Sequence, residues 1–238
     1  MPQRRDLNID DAVSYTPLLK RAARLLLGLT LLPVCIAVSL SLYGQLSQIR
    51  SLSYEAQKFF LMGAVAYLAF HALFFKPAYI YVVGHELMHV VAAWISGGRV
   101  TSFRVSGQGG SVGTTKSNIF IALAPYFMPF YTVIIALLFF TLSIFTNTKP
   151  LLSPFLFLVG FTLAFHIVLT VDFLKIRQTD LLHAGYFFSI CLIYIINVIV
   201  IALIFSLLFR DVSFTGFITA VGIRTKDIYM GIFRQLFL

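Results

Sequence analysis

Six apolar runs, each near the length needed to cross a bilayer, dominate this chain. They occupy residues 22–43, 59–75, 78–95, 118–145, 151–173 and 181–209. A helix needs about 20 predominantly apolar residues to span the hydrocarbon layer. Of the 238 residues, 59% are hydrophobic and only 11% are charged, whereas a soluble domain is about 25% charged. A chain of this size cannot cover so much apolar surface with its own core. The expected fold is an all-α polytopic membrane protein with about six transmembrane helices, and its first partner is the lipid bilayer.

The polar stretches between the runs set the organisation. Residues 1–21 form a polar N-terminal segment that does not read as a cleavable leader. Residues 22–210 read as a single membrane-embedded domain without internal repeats. Residues 211–238 mix aromatics with Arg224, Lys226 and Arg234, the composition of an amphipathic or interfacial tail. Residues 98–116 are polar and glycine-rich. Within them 100–105 is β-prone and Gly107-Gln108-Gly109-Gly110 reads as a turn, so a short β-hairpin or re-entrant loop is expected. Open strand edges at membrane depth are tolerated only against protein or water.

Charge supports the same class. The net charge is +9, with basic residues scattered and no patch interleaved with aromatics. That pattern suits anionic headgroups and topology, not nucleic acid. An even number of spans puts both termini on one side, and Arg4, Arg5, Lys20, Arg21 and Arg24 favour the cytoplasm for the first. A compact chain without appended domains suggests a bacterial plasma membrane. Cys35 and Cys191 each lie in an apolar run and read as packing residues, not as a disulfide framework or metal pair.

The third run carries His85-Glu86-Leu87-Met88-His89. On a helix, positions i and i+4 lie one above the other, so both imidazoles face the same way. Two neutral imidazoles at that spacing can hold a zinc ion, and the glutamate between them can act as general base toward water. The chain has only two glutamates, Glu55 and Glu86, and five histidines. Three of those seven residues fall within these five positions. An unpaired charge in hydrocarbon costs about 2.5–3.5 kcal/mol on insertion scales, so two packed histidines and a buried glutamate without a metal would be an expensive alternative.

A catalytic zinc needs three protein ligands and an open position. Asp180, at the start of the last apolar run, is the first choice for the third, although an aspartate there can also simply favour the helix N-terminus. Asp172 is second, and can equally pair with Lys175. His166 lies deeper in the fifth run, as a ligand or as a hydrogen-bond partner of one. His183 and Asp211 are further candidates. His71 reads as structural, and Pro125 and Pro129 as kinks in the fourth run. Asn118 is either a helix cap or a substrate contact.

Gly84-His85-Glu86-Leu87-Met88-His89 with residues 92–98 resembles the active-site helix of the site-2 protease family of intramembrane zinc metalloproteases, in a divergent, compact branch. The resemblance covers about residues 78–209. It implies a glycine-rich β-prone stretch after the motif, an Asn near a Pro-bearing segment (here Asn118 with Ala124-Pro125-Tyr126), and a ligating Asp at a later helix start, matched by Asp180. The chain has Thr-Asp-Leu in place of the family's Leu-Asp-Gly and places the run 151–173 before that aspartate. The implied activity is zinc-dependent hydrolysis of membrane-anchored protein substrates, with Glu86 catalytic, His85, His89 and Asp180 holding Zn2+, and a strand edge in 100–105 holding the substrate extended. The competing reading is a non-proteolytic polytopic protein, such as a metal or proton transporter or an inactive relative.

Overall fold

A computed structural model describes residues 16–49, 55–107, 109–176 and 178–238. The polar segment up to residue 15, Gln108 of the expected turn and the side chain of His183 lie outside these residues. The chain forms α1 (Thr16–Leu46), α2 (Glu55–Leu73), α3 (Ala78–Ile95), a hairpin of β1 (Val100–Ser106) and β2 (Gly109–Thr114), α4 (Ile119–Phe127), α5 (Phe130–Phe145), a 3-10 turn at Lys149–Leu151, α6 (Leu152–Leu174), α7 (Thr179–Ala184), α8 (Tyr186–Leu208) and α9 (Phe214–Phe237). It is a helical membrane protein, with one small sheet among the described residues.

Among the described residues, four helical stretches are long and apolar enough to cross a membrane: Arg21–Leu46, Ala78–Ile95, Lys149–Leu174 and Tyr186–Leu208. The run 59–75 yields a shorter apolar stretch, Gln57–Leu73, within α2. The run 118–145 forms two helices, not one kinked helix. Its two helices meet at a 75° bend. The break falls at Pro129, which has no N–H to donate and forces the preceding Met128 into extended backbone. Pro125 lies inside α4 and does not interrupt it.

Contacts fix the direction of each helix. Asn118 reaches Ser96 and the Tyr126 ring stacks edge-on against His85, so α4 runs back down α3. Thr132 meets Thr162 and Phe139 stacks on Phe155, so α5 is antiparallel to α6. Lys76 pairs with Asp172 and Tyr81 bonds Thr170, so α6 is itself antiparallel to α3. The α4–α5 pair therefore doubles back toward the end of α3 from which it came. By the same logic α2 and α6 run parallel. Gly63 lies against the Phe157 carbonyl and Gly160 against the Phe60 carbonyl, with no room for a Cβ at either position. Small residues at such a crossing let two backbones approach closely. α1 and α8 also run parallel, with Gly28 against Phe187 and Ser39 bonded to Tyr194 at 2.6 Å. Cys35 and Cys191 are free thiols at this contact.

Residues 211–238 do not form a helix apart from the bundle. The Ser213 N–H donates to Gln45 Oε1 at 3.0 Å and the Tyr229 hydroxyl donates to the Thr30 carbonyl. α9 thus runs antiparallel along α1, with Phe217 buried beside Val38 and Val198.

The hairpin is held to the end of the motif helix. Gly97 has φ +69 and Gly98 donates to the Ala93 carbonyl at 2.7 Å while Gly97 donates to Trp94. This is a Schellman stop, which needs a left-handed residue that glycine supplies without strain. Lys116 Nζ donates to the Ser96 carbonyl at 2.9 Å, closing the base of the hairpin. β1 and β2 are antiparallel, with Val105 opposite Gly110. Both strands pack back along α3.

Candidate metal centre

α3 buries one face, and that face carries His85, Glu86 and His89. Met88, Ala92 and Ala93 of the same helix pack into a core with Leu123, Ala124, Tyr126 and Leu181. This core brings α4 and α7 up to the motif. The consequence is that Asp180, in the first turn of α7, faces both histidines. His85 Nε2 is 3.6 Å and His89 Nε2 3.4 Å from the same oxygen, Asp180 Oδ2. All three donor atoms lie within 4.8 Å of one another, and they form the one such metal-competent group among the described residues.

The trio suits a divalent metal. Two imidazole nitrogens and a carboxylate are a common catalytic zinc set that leaves a fourth position open. His89 Nδ1 lies 2.8 Å from the Ile121 carbonyl, and a bond of that kind directs Nε2 toward a metal and fixes the tautomer. The Tyr126 hydroxyl donates to Asp180 Oδ2 at 3.2 Å, and its ring lies edge-on to His85 with centroids 4.8 Å apart. Burial opposes ionisation of Asp180, but the two imidazoles beside it prevail and hold its pKa below the usual carboxylate range.

The other residues singled out above are placed elsewhere. Asp172 sits at the end of α6, bound by Lys76 at 2.6 Å and Lys175 at 2.7 Å and 3.6 Å from His71, and it takes no part in the trio. His166 is buried in α6, and its Nε2 has no hydrogen-bond partner among the described residues. Asn118 caps α4. Its Oδ1 accepts from the Ile121 N–H at 2.7 Å and its Nδ2 donates to Ser96 Oγ at 3.1 Å. That is the cap role, and it steadies the helix carrying Tyr126. In the sequence Tyr126 stands only as part of the Pro-bearing segment Ala124-Pro125-Tyr126. Its only signal was its place one residue after Pro125, which says nothing about where a hydroxyl points.

A cavity of about 700 Å³ opens onto the trio. His85, Glu86, His89 and Asp180 line it, with Gly109, Gly110, Ser111, Val112 and Thr114 on one wall and Phe173, Ile176 and Gln178 on another. The strand on this wall is β2, not the segment 100–105. Gly110 lies so close to Glu86 that a Cβ there would meet the glutamate side chain. An open strand edge inside a membrane protein is acceptable because it borders a cavity. No protein-family model, curated protein or solved structure matches this chain.

Proposed function

We propose that the protein is an intramembrane zinc endopeptidase, of the site-2 protease kind, that hydrolyses membrane-anchored protein substrates. The observation that carries this reading is the placement of Glu86. It shares the cavity with His85, His89 and Asp180, and it lies against Gly110 of β2. A general base is needed beside the open side of a metal trio, which is where Glu86 lies, whereas a transporter needs a metal or proton path.

Zinc, when bound, polarises a carbonyl and lowers the pKa of water toward about 7. His85, His89 and Asp180 hold it, with Tyr126 and the Ile121 carbonyl orienting two of them. Glu86 takes a proton from the attacking water as oxygen adds to the peptide carbon. It then passes that proton to the amide nitrogen as the C–N bond breaks. The free edge of β2 offers backbone groups to a locally unwound substrate, which would lie extended across the cavity by strand addition. Gly110 leaves the space beside β2 that the Glu86 side chain occupies.

The helix directions also support a count of membrane crossings. With α4–α5 re-entrant, α1, α2, α3, α6 and α8 cross, which accounts for α1 and α8 running parallel. The basic residues Arg21 and Arg24 favour a cytoplasmic start in a bacterial plasma membrane.

The test uses the full chain in vesicles with a membrane-anchored reporter peptide as substrate. Zinc-loaded wild type should cleave it. Glu86→Gln should retain one zinc per chain by elemental analysis and lose cleavage, and His85→Ala should lose both. Zinc uptake into the vesicles, unchanged in Glu86→Gln and with no reporter cleaved by wild type, would replace this reading with a transporter.

A further inference from the structure

The middle of α9 carries a charged turn, Arg224-Thr225-Lys226-Asp227, and the helix lies alongside α1. Its depth follows from the two anchors. Tyr229 is tied to Thr30 and Ser213 to Gln45. At 1.5 Å per residue, Thr30 lies about 14 Å from Arg21 at one end of the α1 span and about 24 Å from Leu46 at the other. Lys226 and Asp227 precede Tyr229 by less than one turn, on the Gln45 side. They therefore lie about 17 Å from one end of that span and about 20 Å from the other. This is near the middle of the α1 span, which puts both residues at mid-depth if α1 crosses the bilayer.

Arg224 has a way out. Its guanidinium extends toward Gly44, near the end of α1, as long basic side chains do to reach headgroups. Lys226 and Asp227 are both exposed, and neither makes an ion pair or hydrogen bond with the described residues. Adjacent positions on a helix do not face each other, so the two cannot neutralise one another. Ionisable groups at this depth are rare and pair with something.

We propose that α9 is a sixth membrane crossing and that its outward face docks on α9 of a second copy of this chain. The argument for a second copy is charge complementarity. A two-fold axis along the membrane normal makes the two α9 helices parallel, and an interface of that symmetry is self-complementary. Lys226 then meets the partner's Asp227, and Asp227 meets the partner's Lys226, at one depth. Gly222 lies one turn before Lys226 on the same face, with nothing within 4 Å of the space a Cβ would fill. It lets the two backbones approach. The sixth crossing returns the C-terminus to the side of the N-terminus. None of this depends on the catalytic reading.

The experiment reconstitutes the full chain, carrying one fluorophore, in liposomes at low protein-to-lipid ratio and counts photobleaching steps. Wild type should show two-step spots. Lys226→Asp and Asp227→Lys should each lower the dimer association constant at least tenfold, and the Lys226→Asp/Asp227→Lys double variant should recover it. Monomeric wild type, as expected if a lipid or a helix of another protein covers this face, would overturn the proposal. So would a double variant no more dimeric than the singles. If the charge variants fail to fold, Gly222→Cys decides. A short bifunctional thiol reagent should cross-link it to a dimer, with wild type (Cys35 and Cys191 only) as control, and no added dimer overturns the proposal.

Discussion

Gly110 lies directly on the side chain of Glu86, in a strand that the sequence separates from the motif helix by a tight stop and a hairpin. A methyl group at residue 110 would overlap Cγ, Cδ and Oε1 of the glutamate. The end of a long side chain yields more readily than a paired strand, so Gly110→Ala should displace Glu86. General-base catalysis contributes about 10²–10⁴-fold, and a displaced base should forfeit part of that, about tenfold or more. Zinc content should stay at the wild-type level. A cleavage rate within twofold of wild type would refute the contact as a functional one.

Two groups connect α4 to the trio, the Ile121 carbonyl at His89 and the Tyr126 hydroxyl at Asp180. Tyr126→Phe removes one bond to Asp180 Oδ2 but keeps the ring against His85. Loss of an outer partner of a metal ligand costs about 10–100-fold in affinity, and the lower end is expected here because two imidazoles still flank the carboxylate. Competition with a fluorescent chelator reads this directly. Asp180→Ala should go further and leave no stoichiometric zinc after dialysis.

Asn118 separates two roles cleanly. As an N-cap, Asn118→Ala should destabilise the protein by about 1 kcal/mol, visible as a lower melting temperature in detergent. Cleavage measured well below that temperature should remain within about twofold, since Asn118 bonds Ser96 and the Ile121 N–H and not the trio or Glu86. A much larger fall in kcat with unchanged melting would assign Asn118 to the substrate instead.

The parallel contact of α2 with α6 rests on Gly63 and Gly160. Gly160→Ala places a methyl group on the Phe60 carbonyl, and overpacking of this kind costs about 1–3 kcal/mol. The melting temperature should fall while zinc binding in the remaining folded protein is preserved. The trio sits on α3 and α7, away from that contact, so joint loss of both properties would show that the α2–α6 contact sets the geometry of the metal centre.

The sequence alone determined the features that are local. Apolar runs mark the membrane class because bilayer thickness and helix rise are fixed lengths. The i, i+4 spacing put His85 and His89 on one face because helical periodicity is a property of the backbone. The glycines at 97–98 and 107–110 marked a stop and a turn through their own conformational freedom. Tertiary structure decided the rest. Asp180 and Asp172 have similar credentials in sequence, each near the end of an apolar run. Packing of Leu181 against Met88 and Leu123 brings the first to the histidines, while Lys76 and Lys175 hold the second at the bundle's end. The run 118–145 has the composition of a span, but composition carries no direction, and only contacts with α3 and α6 give the directions of its two helices. The same holds for 211–238. Amphipathic composition is compatible with lying on a membrane or crossing it beside a neighbour, and the choice depends on what α1 offers as a partner, which no local pattern records.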